Sequence, residues 1–290
     1  MRVERVYDWR RGHGVSEGDP GHFDPNLRSD QVVRIGHVSD SHVGKGVPGR
    51  RLGALRRWLE AMEGLGVDAI VHSGDLVESP ADEEVLEATF EMLEQVDTPL
   101  LGVPGNHDVI RPAQSSKVTD RWGPYPRCEH LEGVQFYLLD SMAWPPVEDR
   151  SEGERESARQ SGFFSRGALG PAQRGQLAEL FADHPPGPRV LVVHHHLRQP
   201  VPAKPWYEDN DDLMAPLEDV DELTELARRE GVEIFLHGHR HQYVAPYAPF
   251  ENSVILGGPS ATATGVQRAR MIDISRSGGA CRIWELVRYE

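Results

Sequence analysis

Five short clusters of chemistry-bearing residues each follow a short apolar stretch. They are Asp40-Ser41-His42, Gly74-Asp75, Gly105-Asn106-His107-Asp108, His194-His195-His196 and Gly238-His239-Arg240-His241. Singly, each has an ordinary explanation: Asp40 could cap a turn, and Gly-Asp is a common turn dipeptide. Their joint occurrence in one chain points instead to a shared site. Carboxylates, an amide oxygen and imidazoles suit Zn, Mn, Fe and related ions. One carboxylate can bridge two cations about 3.5–4 Å apart, and such a pair can clamp a phosphoryl group. It also lowers the pKa of a bound water toward ~7, which makes hydroxide available at neutral pH. No Gly-x-Ser-x-Gly elbow, Gly-rich phosphate loop ending in Lys-Ser/Thr, or Cys-x-x-Cys pair competes.

The elements that must position these clusters follow from hydrophobic periodicity. Strands are expected at 32–38, 69–72 and 99–103, alternating with helices through Leu52–Leu65 and Val85–Val96, the second capped by Asp82. The alternation resumes with strands at 134–139, 190–193 and 234–236 and helices at 171–181 and 219–229. Three further strands, 254–256, 270–274 and 282–287, close the chain without intervening helices. The clusters therefore sit at strand ends, where open α/β sheets place their ligands. Residues 141–168 and 197–217 read as long polar loops, and 1–30 as an N-terminal extension, partly disordered or pinned by Tyr7, Trp9 and Phe23.

The 290 residues allow one large domain or two small ones, with residues 31–290 read as one domain. A net charge of −15 opposes non-specific binding to nucleic acid or anionic membranes. Cys128 and Cys281 cannot build a disulfide framework and read as small buried hydrophobes. With no signal peptide and no apolar run long enough to span a bilayer, a cytoplasmic location is expected. Arg111, Arg198 and Arg240 flank the clusters and read first as exposed side chains, with a phosphate contact as the alternative. Trp144, Trp206 and Tyr207 in the long loops could stack on a substrate or simply pin the loops.

In this order, Asp-x-His, Gly-Asp, Gly-Asn-His-Asp, a post-strand His and Gly-His-x-His resemble the calcineurin-like metallophosphoesterase superfamily, from about Val32 to beyond Gly265. Gly167–Gln176 and Gly257-Gly258-Pro259-Ser260 resemble its bacterial branch of cyclic-nucleotide and glycerophosphodiester phosphodiesterases. The resemblance implies an α/β fold, a four-layer αββα sandwich of two mixed β-sheets flanked by helices. It implies two metal ions, divalent or trivalent (Mn, Fe, Zn or Mg). Asp40, His42 and His241 would hold the first, Asn106, His194 and His239 the second, and Asp75 would bridge them. Asn106 and His107 would contact the substrate phosphate. His107 would assist the leaving oxygen, with Asp108 orienting its imidazole. Within the histidine triplet, His194 is preferred over His195 as ligand, and His237 reads as a packed residue. His196 stands where the family often has proline.

The expected activity is hydrolysis of a small phosphodiester by in-line attack of metal-bound hydroxide. A phosphomonoesterase or a nucleotide-sugar pyrophosphatase is the nearest alternative. A nuclease is disfavoured by charge, and a non-catalytic scaffold by the complete ligand set. The expected partner is a small phosphoester rather than a nucleic acid polymer or a membrane, with a homodimer left open.

Overall fold

The computed structural model describes residues 1–20, 29–109, 112–144, 149, 151–153, 155–156, 166–197, 216–248, 250 and 252–289. In chain order its first strands are β1 (Arg2–Arg10), β2 (Gly14–Gly18), β3 (Val32–Val38), β4 (Ala69–His72), β5 (Leu100–Gly102) and β6 (Arg127–Leu131). Then come β7 (Val134–Leu138), β8 (Arg189–Val192), β9 (Ile234–His237), β10 (Val254–Gly257), β11 (Val266–Ser275) and β12 (Ala280–Tyr289). The helices are α1 (Arg50–Gly64), α2 (Glu83–Leu93), α3 (Pro112–Trp122), α4 (Gly170–Asp183) and α5 (Val220–Arg229).

Seven strands form one sheet in the order β2-β1-β12-β11-β3-β4-β5, and five form a second in the order β10-β9-β8-β7-β6. The central strands are largely buried on both faces because both faces are covered. Val33 and Ile35 of β3, Ala69 and Val71 of β4, Phe136 of β7, Val192 of β8 and Leu236 of β9 share one buried layer between the sheets. Ile70 faces the other way and packs with Leu55, Trp58 and Met62 of α1 and Phe90 of α2. On the second sheet, Tyr137, Leu191 and Phe235 meet Leu177 and Phe181 of α4 and Leu223 of α5. The result is the expected αββα sandwich of two mixed sheets. The cap at Asp82 is present, its side chain accepting the Val85 N–H at 3.2 Å.

Strands β3, β4 and β5 run parallel, as do β7, β8, β9 and β10, so their carboxyl ends gather at one rim of each sheet. The sequence pattern misses β1, β2, β6 and α3. β1 reads as charged, yet Val6, Tyr7 and Trp9 are buried and its backbone pairs with β12. Arg111, Arg198, Trp206, Tyr207 and Asp209–Asp212 lie outside the described residues, as do Phe23 and most of the two long loops. Among the described residues, no helix is long and apolar enough to cross a membrane.

Candidate metal centre

Each cluster leaves the carboxyl end of a parallel strand: Asp40 and His42 after β3, Asp75 after β4, Asn106–Asp108 after β5, His194 after β8, and His239 and His241 after β9. Short turns aim the side chains inward at a cost in backbone strain. Asp40, His42, Asp75, His239 and His241 all have positive φ, between 43° and 73°, and make five of the seven such non-glycine residues described. Conformations of this kind cost about 1–3 kcal/mol each and persist where the surroundings over-determine them. Gly74 and Gly105 let the turns close, because a Cβ on Gly74 would strike His194 and one on Gly105 would strike Asp75.

Asp75 lies at the middle. Its Oδ2 is 3.4 Å from His42 Nε2 and 3.4 Å from His194 Nε2. Its Oδ1 accepts the His107 backbone N–H at 2.8 Å. On one side, His42 Nε2 is 2.8 Å from His241 Nε2, which is itself 3.2 Å from Asp40 Oδ1. Possible ligand atoms of Asp40, His42, Asp75 and His241 all lie within 4.8 Å of one another. On the other side, Asn106 Oδ1 is 3.1 Å from His194 Nε2 and 3.0 Å from His239 Nδ1.

The donor set fits bound cations. His194 Nδ1 donates to the Ser73 carbonyl at 2.8 Å, so the neutral ring turns an Nε2 lone pair toward Asp75 and Asn106, both oxygen acceptors. Without a metal, that position calls for a proton. Burial pulls the His194 pKa down, but the Asp75 charge outweighs it and lifts the group to about 9. His42 Nδ1 donates to Glu78 Oε2 at 2.8 Å, and burial lowers its pKa to about 4, so its Nε2 lone pair also faces the cluster. Asp40 Oδ2 and His239 Nε2 are buried with no hydrogen-bond partner among the described residues. Burial opposes the Asp75 charge, yet the imidazoles of His194 and His107 hold its carboxyl well below the usual range. The Nε2 lone pairs of His42 and His194 and the fixed Asp75 anion converge, as cation binding requires.

The remaining site residues separate into distinct places. Of the histidine triplet, His194 meets Asp75 and Asn106, whereas His195 Nδ1 lies 2.8 Å from Ser141 Oγ and its ring lies tilted against His239 with centroids 4.4 Å apart. His237 is buried, with its Nδ1 on the Gly238 carbonyl. His107 is 8% exposed and its Nδ1 donates to the Glu78 carbonyl at 3.1 Å. Asp108 differs from expectation. Its carboxylate accepts the backbone N–H groups of Gly105, Leu76 and Val77 at 2.9, 3.2 and 3.1 Å. The tight turn folds it beneath the loop, so it braces two strand ends. Burial and the Asp75 charge push it up to about 7 against those three donors. Arg240, read as exposed, is 3% exposed, and Trp144 is 41% exposed.

Glu78 carries no motif and is missed by sequence reasoning. Its carboxylate holds His42, lies 3.7 Å from His107 Nδ1 and pairs with Lys45 at 3.1 Å. Burial alone would raise it, but the contact with His42 takes it down to about 2. The one available signal is its position three residues after Asp75, on the segment that must return past His42.

Comparison with known proteins accords with this geometry. The chain is 27% identical over 224 residues to the 3',5'-cyclic adenosine monophosphate phosphodiesterase CpdA of Haemophilus influenzae, covering 73% of this chain and 71% of that one. It is 32% identical over 127 residues to the DNA double-strand break repair protein Mre11 of Halobacterium salinarum, covering 38% and 32% respectively. Among solved structures, a dimetal phosphatase from Danio rerio superposes with a TM-score of 0.57 at 15% identity, covering 90% of this chain and 99% of that one. Residues 33–243 match the family model described as Calcineurin-like phosphoesterase. The chain belongs to that family and is a metal-dependent phosphoester hydrolase.

Proposed function

We propose that this chain is a two-metal phosphodiesterase acting on small phosphodiesters of the cyclic-nucleotide or glycerophosphodiester kind. One observation carries the two-metal assignment: Asp75 Oδ2 stands 3.4 Å from an imidazole of each ligand group, the position of a bridging carboxylate. Asp40, His42 and His241 would hold one ion, and Asn106, His194 and His239 the other. Bound ions would supply Lewis acidity at the phosphoryl oxygens and activate water for in-line attack.

The chain's own residues do the rest. His107 is anchored through Nδ1 on the Glu78 carbonyl, so as an imidazolium, carrying a proton on each nitrogen, it would contact the phosphate through Nε2 and give that proton to the leaving oxygen. Asn106 binds beside it, and Asp108 fixes the turn that presents both. Glu78 orients His42 as carboxylates orient metal-bound imidazoles generally. The diester preference is supported by the relative named as a cyclic AMP phosphodiesterase, which is matched over most of both chains.

The second reading, action on a DNA strand, is prompted by the relatives named as DNA double-strand break repair proteins, which match over a smaller share of their length. The net charge of −15 opposes it. Hydrolysis of cyclic AMP, a glycerophosphodiester, bis(p-nitrophenyl) phosphate and p-nitrophenyl phosphate, each with added Mn²⁺, tests the proposal. Faster turnover of the monoester than of every diester would overturn it.

A further inference from the structure

The smaller sheet ends on an edge strand with an unusual face. Side chains alternate along β6, so Cys128 and His130 project on the same side, and Glu129 on the other, where it pairs with Arg127 at 3.0 Å. His184, the residue that ends α4 in an extended conformation, completes a triad with them. Cys128 Sγ lies 3.7 Å from His130 Nε2, and His130 Nε2 lies 3.1 Å from His184 Nδ1. All three ligand atoms fall within 4.8 Å of one another. A tetrahedral zinc ion with ordinary Zn–S and Zn–N bonds would separate them by about 3.6 Å (S to N) and about 3.3 Å (N to N). The two separations match those edges to within a few tenths of an ångström, and the third, Cys128 Sγ to His184 Nδ1, lies within 4.8 Å.

The frame behind the triad is fixed. Arg189 reaches the carbonyls of Phe181 and His184, and Gln135 Nε2 donates to the Pro185 carbonyl at 2.7 Å. The Tyr137 ring packs on Phe181 and His184. His130 pairs with Gln135 at the start of β7, and Gln135 with Arg189 at the start of β8. The triad therefore lies at the amino ends of the parallel strands, whereas the centre around Asp75 lies beyond their carboxyl ends. Cys128 and His184 are half-buried and His130 is exposed, which leaves a fourth coordination position open to water.

We propose that Cys128, His130 and His184 form a further metal site, taking a zinc-class divalent ion and clipping the edge strand β6 to the end of α4. A thiolate with two imidazoles is a softer set than the carboxylate-rich centre, so it favours Zn²⁺ or Co²⁺ over Mg²⁺ or Mn²⁺. On binding, the Cys128 S–H bond breaks, its proton goes to solvent, the sulfur bonds the ion, and nothing is oxidised or reduced.

The test uses the full-length protein stripped by chelation and titrated with Co²⁺. Thiolate-to-cobalt charge transfer absorbs in the near ultraviolet, and no cysteine belongs to the centre around Asp75. The band should saturate at one equivalent, persist in Asp75→Asn and vanish in Cys128→Ser. His184→Ala should raise the half-saturating Co²⁺ concentration at least about 10-fold. Zn²⁺ should slow alkylation of Cys128 by iodoacetamide about 10-fold, with the buried Cys281 as internal control. Absence of the band in the wild-type protein, or an unchanged band in Cys128→Ser, would overturn the site. It would leave His130 and His184 as a hydrogen-bonded pair beside a packed thiol.

Discussion

Asp75 lies 3.4 Å from an imidazole of each proposed ligand group, so one substitution there should damage both proposed sites. Asp75→Asn or Asp75→Ala should lower metal content below that of any other single ligand variant, as read by elemental analysis after Mn²⁺ reconstitution. Two ions per wild-type chain are expected, and a reconstituted wild type with one ion or none would end the two-metal assignment. His107 contacts no proposed ion directly. His107→Ala should keep both metals while kcat falls about 10²–10⁴-fold, the loss shrinking for esters with good leaving groups. An emptied metal site in that variant would contradict the assigned role. Glu78 acts through its neighbours, since its carboxylate sits 2.8 Å from His42 Nδ1. Glu78→Ala should weaken metal affinity about 10–100-fold by titration calorimetry, and Glu78→Gln, which keeps an acceptor, should lose less. Equal affinity in Glu78→Ala and wild type would remove Glu78 from the site.

Strand ends decide what can be read from such a chain. The Asp, Asn and His clusters are legible because each interrupts an apolar run at the point where the chain must turn, so element and chemistry announce one another. Glu78 is not legible, because a lone glutamate beyond a turn looks like any surface residue until β3 and β4 are placed side by side. Strands β1 and β6 escape for a related reason. Both carry charged residues among the apolar ones, and β6 lies at a sheet edge, so only pairing to β12 and β7 reveals them. The end of β7 holds a charge with a measurable consequence. Burial pushes Asp140 up to about 6, although its carboxylate accepts the Met142 N–H. The folded state thus keeps this proton up to a higher pH than the unfolded chain, whose value stays near 3.8. For this group, stability is greatest below about pH 4 and falls as pH rises to about 6, by about 1–3 kcal/mol. Asp140→Asn should flatten that slope in denaturant titrations and raise the midpoint at pH 7; an unchanged slope would show that Asp140 is well solvated.

At the scale of the molecule, net charge bears on which substrates can approach. A field from a net −15 repels a polyanion, while attraction of a single phosphate to bound cations acts at contact distance, inside the screening length of about 8–10 Å. Turnover of a small diester should exceed that of single-stranded DNA by at least about 10-fold at physiological salt. Comparable rates on the two would move the nuclease reading ahead. The topology carries one more consequence, for how the chain is made. All five strands of the smaller sheet lie between β5 and β11, so that sheet is nested in sequence within the larger one. A nascent chain leaving the ribosome exposes β3 long before the strand that covers its outer edge, β11. The sheet begun first is finished last. Until β11 emerges, β3 offers an open apolar edge of the kind that invites mispairing, while the inner sheet can close on its own. If Asp40, His42 and His241 hold one ion as proposed, that ligand set is complete only once His241 has been translated.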